Sequence, residues 1–249
     1  MQPRNIVSQD DWFQAHKAHL AREKAFTRER DRLAEERRKL PWMKVEKEYL
    51  FDTTDGRKTL SDLFKGRSQL LVYHFMFGPG ADYRCKGCSF LCDHIDGAEQ
   101  HLRNHDISLV AASRAPLSEL LPYKERMGWK FDWVSSGPSN FNFDFQVSFS
   151  EEQVASGFVV YNFQDFETGP DFISRDWPGI TAFYKSEDGA IYCTFMARAR
   201  GGDILIGAYN WLDMAPLGRN ETQPNTMNWV RLHDEYEERP TVAGDCCHG

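Results

Sequence analysis

Gln69-Leu-Leu-Val-Tyr-His-Phe-Met-Phe-Gly-Pro-Gly-Ala-Asp-Tyr-Arg-Cys-Lys-Gly-Cys-Ser-Phe-Leu-Cys92 holds the main evidence for the fold. Gln69 to Phe77 is almost continuously apolar or aromatic, the pattern of a central strand covered on both faces. Gly78-Pro79-Gly80 stops it, and a helix is expected from about Cys88 to His105. Ser108 to Ala112 then reads as a second buried strand. Pro116 to Met127 reads as a helix, with proline near its start and Gly128 just past its end. Phe131 to Val134 is a further short strand. Strand, helix, strand, helix, strand is α/β alternation, which implies right-handed crossovers and a largely parallel core.

Working outward, Ser8 is a fitting N-cap for a helix with acids in its first turn. From Asp10 to about Leu40 the chain is charge-dense and free of Gly and Pro, with sparse apolar residues such as Trp12, Phe13, Leu20, Phe26 and Leu33. This predicts a solvated helical arm over residues 1–41, with an aromatic stripe that could serve packing or homodimerisation. Glu48 to Phe51 looks like a strand, and Asp55-Gly56 is a hairpin turn. Thr59 to Phe64 suits a short strand passing into a helical turn. Ile180 to Tyr184 and Ala190 to Phe195 flank a turn at Ser186-Glu187-Asp188-Gly189 and form an antiparallel hairpin. Residues 137–176, rich in Phe and without clean periodicity, read as an irregular insertion against the main sheet. Gly201 to Leu212 reads as a helix and Asn225 to Leu232 as a capped helical turn. The main domain is placed at 42–215, with an extension and tail over 216–249.

The 249 residues carry 30 Lys and Arg against 37 Asp and Glu, a net charge of -7. That balance disfavours a nucleic-acid partner. No apolar run approaches the length of a membrane span. No secretory signal is visible, so the expected location is the cytoplasm. In such a reducing setting, cysteines two residues apart read as redox-active or metal-binding rather than as a structural staple.

Cys85-Lys86-Gly87-Cys88 is the strongest chemical signal. A thiol at a helix start is stabilised as thiolate by unpaired backbone N–H groups, and thiolate is the attacking species. Arg84 and Lys86 add positive charge. Cys85 is therefore the expected nucleophile and Cys88, one turn further, the resolving thiol. A metal reading draws on Cys85, Cys88, Cys92 and His94, all donor types that zinc takes. Helical projection, however, places Cys92 with Cys88, Leu91, Ile95 and Leu102 on an apolar stripe, where a cysteine acts as a small hydrophobe. His101 and His105, four apart, and Cys246-Cys247-His248 are weaker metal candidates. Gly78-Pro79-Gly80 fails as a dinucleotide loop, because Tyr83 stands where a glycine is needed. No cofactor and no resident metal are expected.

The order of elements resembles the thioredoxin-like fold. Asp55 to Gly66 resembles the opening of its redoxin and peroxiredoxin branch. The whole chain, from about residue 5 to 235, resembles the bacterial DUF899 family. The matching stretches are Tyr73 to Gly78, Cys88-Ser89-Phe90, Ser113-Arg114-Ala115-Pro116-Leu117, Tyr123 to Trp129, Phe131 to Ser136, Asn140 to Phe145, Pro178-Gly179, Phe183-Tyr184 and Tyr209 to Asp213. The resemblance implies an α/β, thioredoxin-like fold, a central mixed sheet flanked by helices with an N-terminal helical extension. It implies function only weakly.

Departures from those relatives matter. Thioredoxins carry Trp-Cys-Gly-Pro-Cys, where this chain has Arg84-Cys85-Lys86-Gly87-Cys88. The buried Asp of thioredoxins falls at Tyr73, with His74 beside it as a candidate replacement proton acceptor for Cys88. Peroxiredoxins place Pro, then Thr or Ser, then Cys in tight spacing. Here Pro79 is followed by neither Thr nor Ser before Cys85. Arg114 could steady a thiolate or an anionic substrate, or form a surface ion pair. The resemblance makes Pro178 the candidate cis-proline facing the cysteine pair. The leading expectation is a thiol-disulfide oxidoreductase acting on a disulfide-containing or oxidised substrate and recharged by a cellular thiol reductant. Peroxide reduction, metal binding and a redox-silent binding role stay open.

Overall fold

The computed structural model describes residues 5–169, 172, 174–221 and 226–237. In chain order the helices are α1 (Gln9–Arg38), α2 (Leu60–Leu63), α3 (Lys86–Cys92), α4 (Asp96–Asn104), α5 (Leu117–Arg126), α6 (Phe141–Asp144), α7 (Glu151–Ala155) and α8 (Gly207–Met214). The strands are β1 (Met43–Lys44), β2 (Leu50–Thr53), β3 (Gly56–Thr59), β4 (Gln69–His74), β5 (Ile107–Ser113), β6 (Asp132–Ser135), β7 (Phe158–Tyr161), β8 (Gln164–Glu167), β9 (Gly179–Lys185) and β10 (Ile191–Arg198). The chain divides into two units, Met1–Trp42 and Met43–Gly249.

The first unit is built on α1. Ser8 caps it, its hydroxyl accepting from the Asp11 N–H at 3.2 Å. Asp10 and Asp11 sit in the first turn and Arg37 and Arg38 in the last, each favourable to the helix dipole. No side chain of α1 is buried. Thirty residues with so few apolar positions make a helix held by capping, propensity and charge rather than by an apolar face.

In the second unit an eight-stranded sheet runs β1-β10-β9-β4-β5-β6-β2-β3. β4, β5 and β6 are parallel, while β9, β10, β2 and β3 continue the sheet antiparallel on either side. A parallel core whose central strand feeds the cysteine helix, next to an antiparallel hairpin, is a thioredoxin-like arrangement. The fold is α/β, with a mixed sheet flanked by helices.

Both sheet faces are covered, which is why the core strands read as continuous apolar runs. On one face Tyr73, Phe75, Ala111 and Trp133 pack under α3 and α5. On the other, Leu70, Val72, Val110, Val134 and Phe183 pack against Phe64 at the end of α2 and against Phe141 and Phe145 from α6. Truncating a fully buried Phe such as Phe141 would cost about 3–5 kcal/mol.

The structure corrects several expected boundaries. The helix expected over Cys88–His105 is two helices, because Asp93, His94 and Ile95 are diverted into other contacts. Asp93 accepts from the Trp129 indole at 2.8 Å. Beyond the break, the Asp96 carboxylate accepts the Lys130 and Phe131 N–H groups at 2.9 and 2.8 Å. The described residues of the region 137–176 carry local structural devices. Ser150 and Gln153 form a capping box at α7. β7 and β8 close through Asn162 and Phe163, both left-handed at φ 53° and 62°, which suits a two-residue hairpin turn. The expected helix at Gly201–Leu212 is a 3-10 segment, Ala199–Leu205, followed by α8. Residues 226–232 join the main core, with Val230 and Leu232 buried in it.

His74 is fully buried, its Nε2 2.9 Å from the Thr181 hydroxyl and its ring stacked on Phe141. Burial, with a smaller push from Arg198, holds it well below the usual histidine range. Folded protein therefore stays neutral there, while the unfolded chain takes up a proton below about pH 6.5. This stability contribution is complete above that pH and is lost as pH falls through it, by up to about 1.4 kcal/mol per pH unit. Urea unfolding at pH 7.5 and 5.5 should show a steeper fall for wild type than for His74→Gln. Equal falls would show that His74 does not carry the effect.

Candidate active site at the cysteine pair

β4 ends at His74, and Gly78, Pro79 and Gly80 turn the chain back toward α3. Gly78 is required by space: a Cβ there would lie 2.5 Å from Asp176 Oδ2. Cys85 is the N-cap of α3, in extended backbone, and its sulfur accepts the Cys88 N–H at 3.2 Å. A thiol thus occupies the position where Ser, Thr or Asp usually caps a helix. The Ser89 hydroxyl donates to the Cys85 carbonyl at 2.9 Å and lies 2.8 Å from the Tyr123 hydroxyl. The cap residue is therefore held at both its backbone and its side chain.

Cys85 and Cys88 are both free thiols, not a disulfide, and both are buried. A hydrogen bond from the Cys88 thiol lowers the Cys85 pKa. Backbone N–H groups of Cys88 and Gly87 and the Tyr83 hydroxyl add to it, against the opposing effect of burial. Burial pushes Cys88 well up, and its bond to Cys85 adds to that, although the Tyr73 hydroxyl and the Met76 backbone act in the other direction. Tyr83 is itself raised to about 12, chiefly by burial, so it stays a donor at neutral pH. The two sulfurs are chemically unequal: the Cys85 thiol is shifted toward easier ionisation and the Cys88 thiol away from it.

A cavity of about 260 Å³ opens beside the pair. Tyr73, Leu91, Pro178, Ile180, Ile206 and Met227 are among its walls. Met227 is left-handed at φ 60° and donates its N–H to Glu221 at 2.9 Å. Its sulfur lies 3.1 Å from where a Cβ on Gly87 would be. At position 87 only glycine fits comfortably without moving Met227.

The other sequence candidates are placed as follows. Arg84 lays its guanidinium over the Phe77 ring at 3.9 Å and donates to the Ala81 carbonyl. Lys86 is exposed on the first turn. Pro178 borders the cavity, and its carbonyl accepts from Tyr161 at 2.5 Å. Arg114 forms a two-pronged pair with Asp176 at 2.6 and 2.8 Å, both side chains largely buried. It is a buried ion pair rather than a surface one. His74 stacks on Phe141, on the opposite side of the sheet from Cys88, because neighbouring residues on a strand point to opposite faces. Tyr73, one residue earlier, is the group that reaches Cys88. Cys92 is fully buried in the core beneath α3. The His94 Nε2 accepts the Ala208 N–H at 3.0 Å. Among the described residues no group of three His, Cys, Asp or Glu is gathered to hold a metal ion. Cys246, Cys247 and His248 lie outside the described residues.

Sequence reasoning missed Tyr83, Ser89 and Tyr123. Tyr83 stands two residues before Cys85, close enough to have been suspected. Ser89 and Tyr123 are 34 positions apart and meet only in the fold. Alkylation of Cys85 by iodoacetamide, followed at its own peptide, should show a midpoint below the ordinary thiol value of about 8.5. Cys88→Ala should move that midpoint up, and Tyr83→Phe should move it up by less. An unshifted midpoint in both variants would contradict these hydrogen bonds.

Among the described residues no helix is long and apolar enough to cross a membrane. No curated protein sequence matches the chain. Solved structures with low similarity include a PrxQ mutant from Xylella fastidiosa, at 10% identity over 66% of this chain and 88% of that one, with a TM-score of 0.43. Peroxidoxin BcpB from Mycobacterium tuberculosis is similar at 13% identity over 66% and 95%, with a TM-score of 0.42. Peroxiredoxin Q from Xanthomonas campestris is similar at 14% identity over 64% and 88%, with a TM-score of 0.40. The model of a family described as bacterial proteins of unknown function, DUF899, matches residues 1–236, and the chain belongs to that family.

Proposed function

We propose that the chain is a thiol-disulfide oxidoreductase working in a reducing compartment, the cytoplasm. One observation carries this: a capping thiol that accepts the Cys88 N–H at 3.2 Å, its pKa lowered, stands with a second thiol at the wall of a cavity. The Cys85 thiolate attacks one sulfur of a substrate disulfide. A mixed disulfide forms, and the departing thiolate takes up a proton. Cys88 then loses its proton and attacks the Cys85 sulfur, releasing the second substrate thiol. The substrate gains two electrons, and the protein is left with a Cys85–Cys88 disulfide. A cellular dithiol or thiol reductant returns it to the reduced form.

Tyr83 and the N–H groups of Gly87 and Cys88 stabilise the attacking charge. Tyr73 and the Met76 backbone are donors to Cys88 when it in turn becomes the anion. Each unit by which the Cys85 pKa falls toward neutrality raises its thiolate fraction at pH 7 about tenfold, while intrinsic nucleophilicity falls less steeply.

Reduced wild-type protein mixed with bis(2-hydroxyethyl) disulfide should lose two thiols and end as an intramolecular disulfide mapped to Cys85 and Cys88. Cys88→Ser should stop at a mixed disulfide on Cys85, and Cys85→Ser should not react. Faster reaction with hydrogen peroxide than with any disulfide, leaving a sulfenic acid on Cys85 of Cys88→Ser, would move the reading to peroxide reduction. Unchanged reactivity in Cys85→Ser would end both.

A further inference from the structure

Most of the cavity beside the cysteine pair is hydrocarbon. Leu91, Ile180, Ala197 and Ile206 form the wall around the two sulfurs, with the ring of Tyr73 and the thioether of Met227. Among the described lining residues the charged ones are Arg200 and Asp203, and these are paired with each other at 2.9 Å. Asp203 also lies 3.8 Å from Arg219. No uncommitted charge on the described wall faces a substrate's carboxylate or ammonium.

A second cavity, of about 160 Å³, shares Tyr73, Leu91 and Ile180 with the first. Leu71, Leu102, Leu109 and Leu205 line it further. The thiols therefore stand beside apolar space larger than a bare disulfide requires, with a second apolar cavity on the far side of these shared side chains. An apolar chain gains by leaving water along such a wall, whereas a charged group entering it loses hydration without a partner.

We propose that the substrate is a neutral disulfide carried on an apolar chain, with its sulfurs at Cys85 and the chain extending along Leu91 and Ile180 toward the second cavity. This rests on the oxidoreductase reading and names its substrate class. The chemistry is the exchange already described: the alkyl disulfide is reduced to two thiols and Cys85–Cys88 is oxidised. Charged disulfides such as glutathione disulfide or cystine are poor substrates, because their carboxylates and ammonium groups would be desolvated unpaired.

The test compares reduced wild-type protein with lipoamide, bis(2-hydroxyethyl) disulfide and glutathione disulfide. Each rate is divided by that of free 2-mercaptoethanol with the same disulfide, which removes intrinsic reactivity. Lipoamide should exceed glutathione disulfide by about tenfold or more on this scale. Ala98→Phe, on exposed surface at the second cavity, should cut the lipoamide rate severalfold and leave the bis(2-hydroxyethyl) disulfide rate unchanged. Glutathione disulfide matching or exceeding lipoamide would overturn the proposal.

Calorimetry with lipoamide on Cys85→Ser/Cys88→Ser reads the site without redox chemistry. Saturable binding, weakened by Ala98→Phe, supports the apolar-chain site even if wild type reduces no disulfide, an outcome that would remove the oxidoreductase reading alone. No saturable binding would overturn the proposal whatever the kinetics show.

Discussion

The site depends on strand alternation within β4, where successive side chains must leave on opposite faces. Tyr73 goes to the face covered by α3 and reaches Cys88, while His74 goes to the face covered by α6 and stacks on Phe141. The register makes room for both rings. Tyr73 is flanked across the sheet by Ala111 and Ile180, and His74 by Ala112 and Gly179. A one-residue slip would exchange the two, placing an imidazole against the thiols and a phenol in the opposite core. The chemistry of Cys88 is therefore set by pairing with β5 and β9 as much as by its own helix.

The ends of these strands are tied by one buried ion pair. Arg114, just past β5, holds Asp176, which also accepts from the Ser148 hydroxyl at 2.5 Å and crowds Gly78 beyond β4. Asp176 lies two residues before Pro178, so the same carboxylate helps fix the chain that walls the cavity. A pair this far from water adds less net stability than its distances suggest, because both ions have lost their hydration. Its specific contribution is geometric: it leaves one arrangement for three segments remote in sequence. Gly179 serves a similar close approach, since the Arg198 side chain comes within 2.6 Å of where its Cβ would be.

The α/β order was legible because periodicity and punctuation are local. The apolar run at Gln69–Phe77, the turn at Gly78–Gly80 and the Pro116-to-Gly128 bracket each depend on neighbours in sequence. The cysteine pair was legible for the same reason. What escaped the sequence is non-local. The helix break at Asp93–Ile95 is met by contacts to Trp129, Lys130 and Phe131, and within 88–105 only Gly97 is a weak helix former. The hairpin at Asn162-Phe163 lacks the Asn-Gly signal that usually marks its turn. Arg114 and Asp176 are 62 positions apart, so the ion pair that occupies Arg114 was invisible. Tyr73 was recognised as occupying an acid's place, but its hydroxyl's meeting with Cys88 depends on how α3 docks.

The inequality of the two thiols gives the proposed exchange its direction. In the reduced protein, Cys88 is held protonated by burial, by its bond to Cys85 and by the negative charge of the neighbouring sulfur. Once Cys85 is bonded to a substrate sulfur, that charge is gone and Cys85 no longer acts as a thiolate acceptor. Two of the three influences that raise Cys88 then vanish, while the Tyr73 hydroxyl and the Met76 backbone still favour its anion. The first displacement thus lowers the barrier to deprotonating the thiol needed for the second. In the proposed exchange the reduced protein keeps one nucleophile ready, and the other is released only when there is a mixed disulfide to resolve.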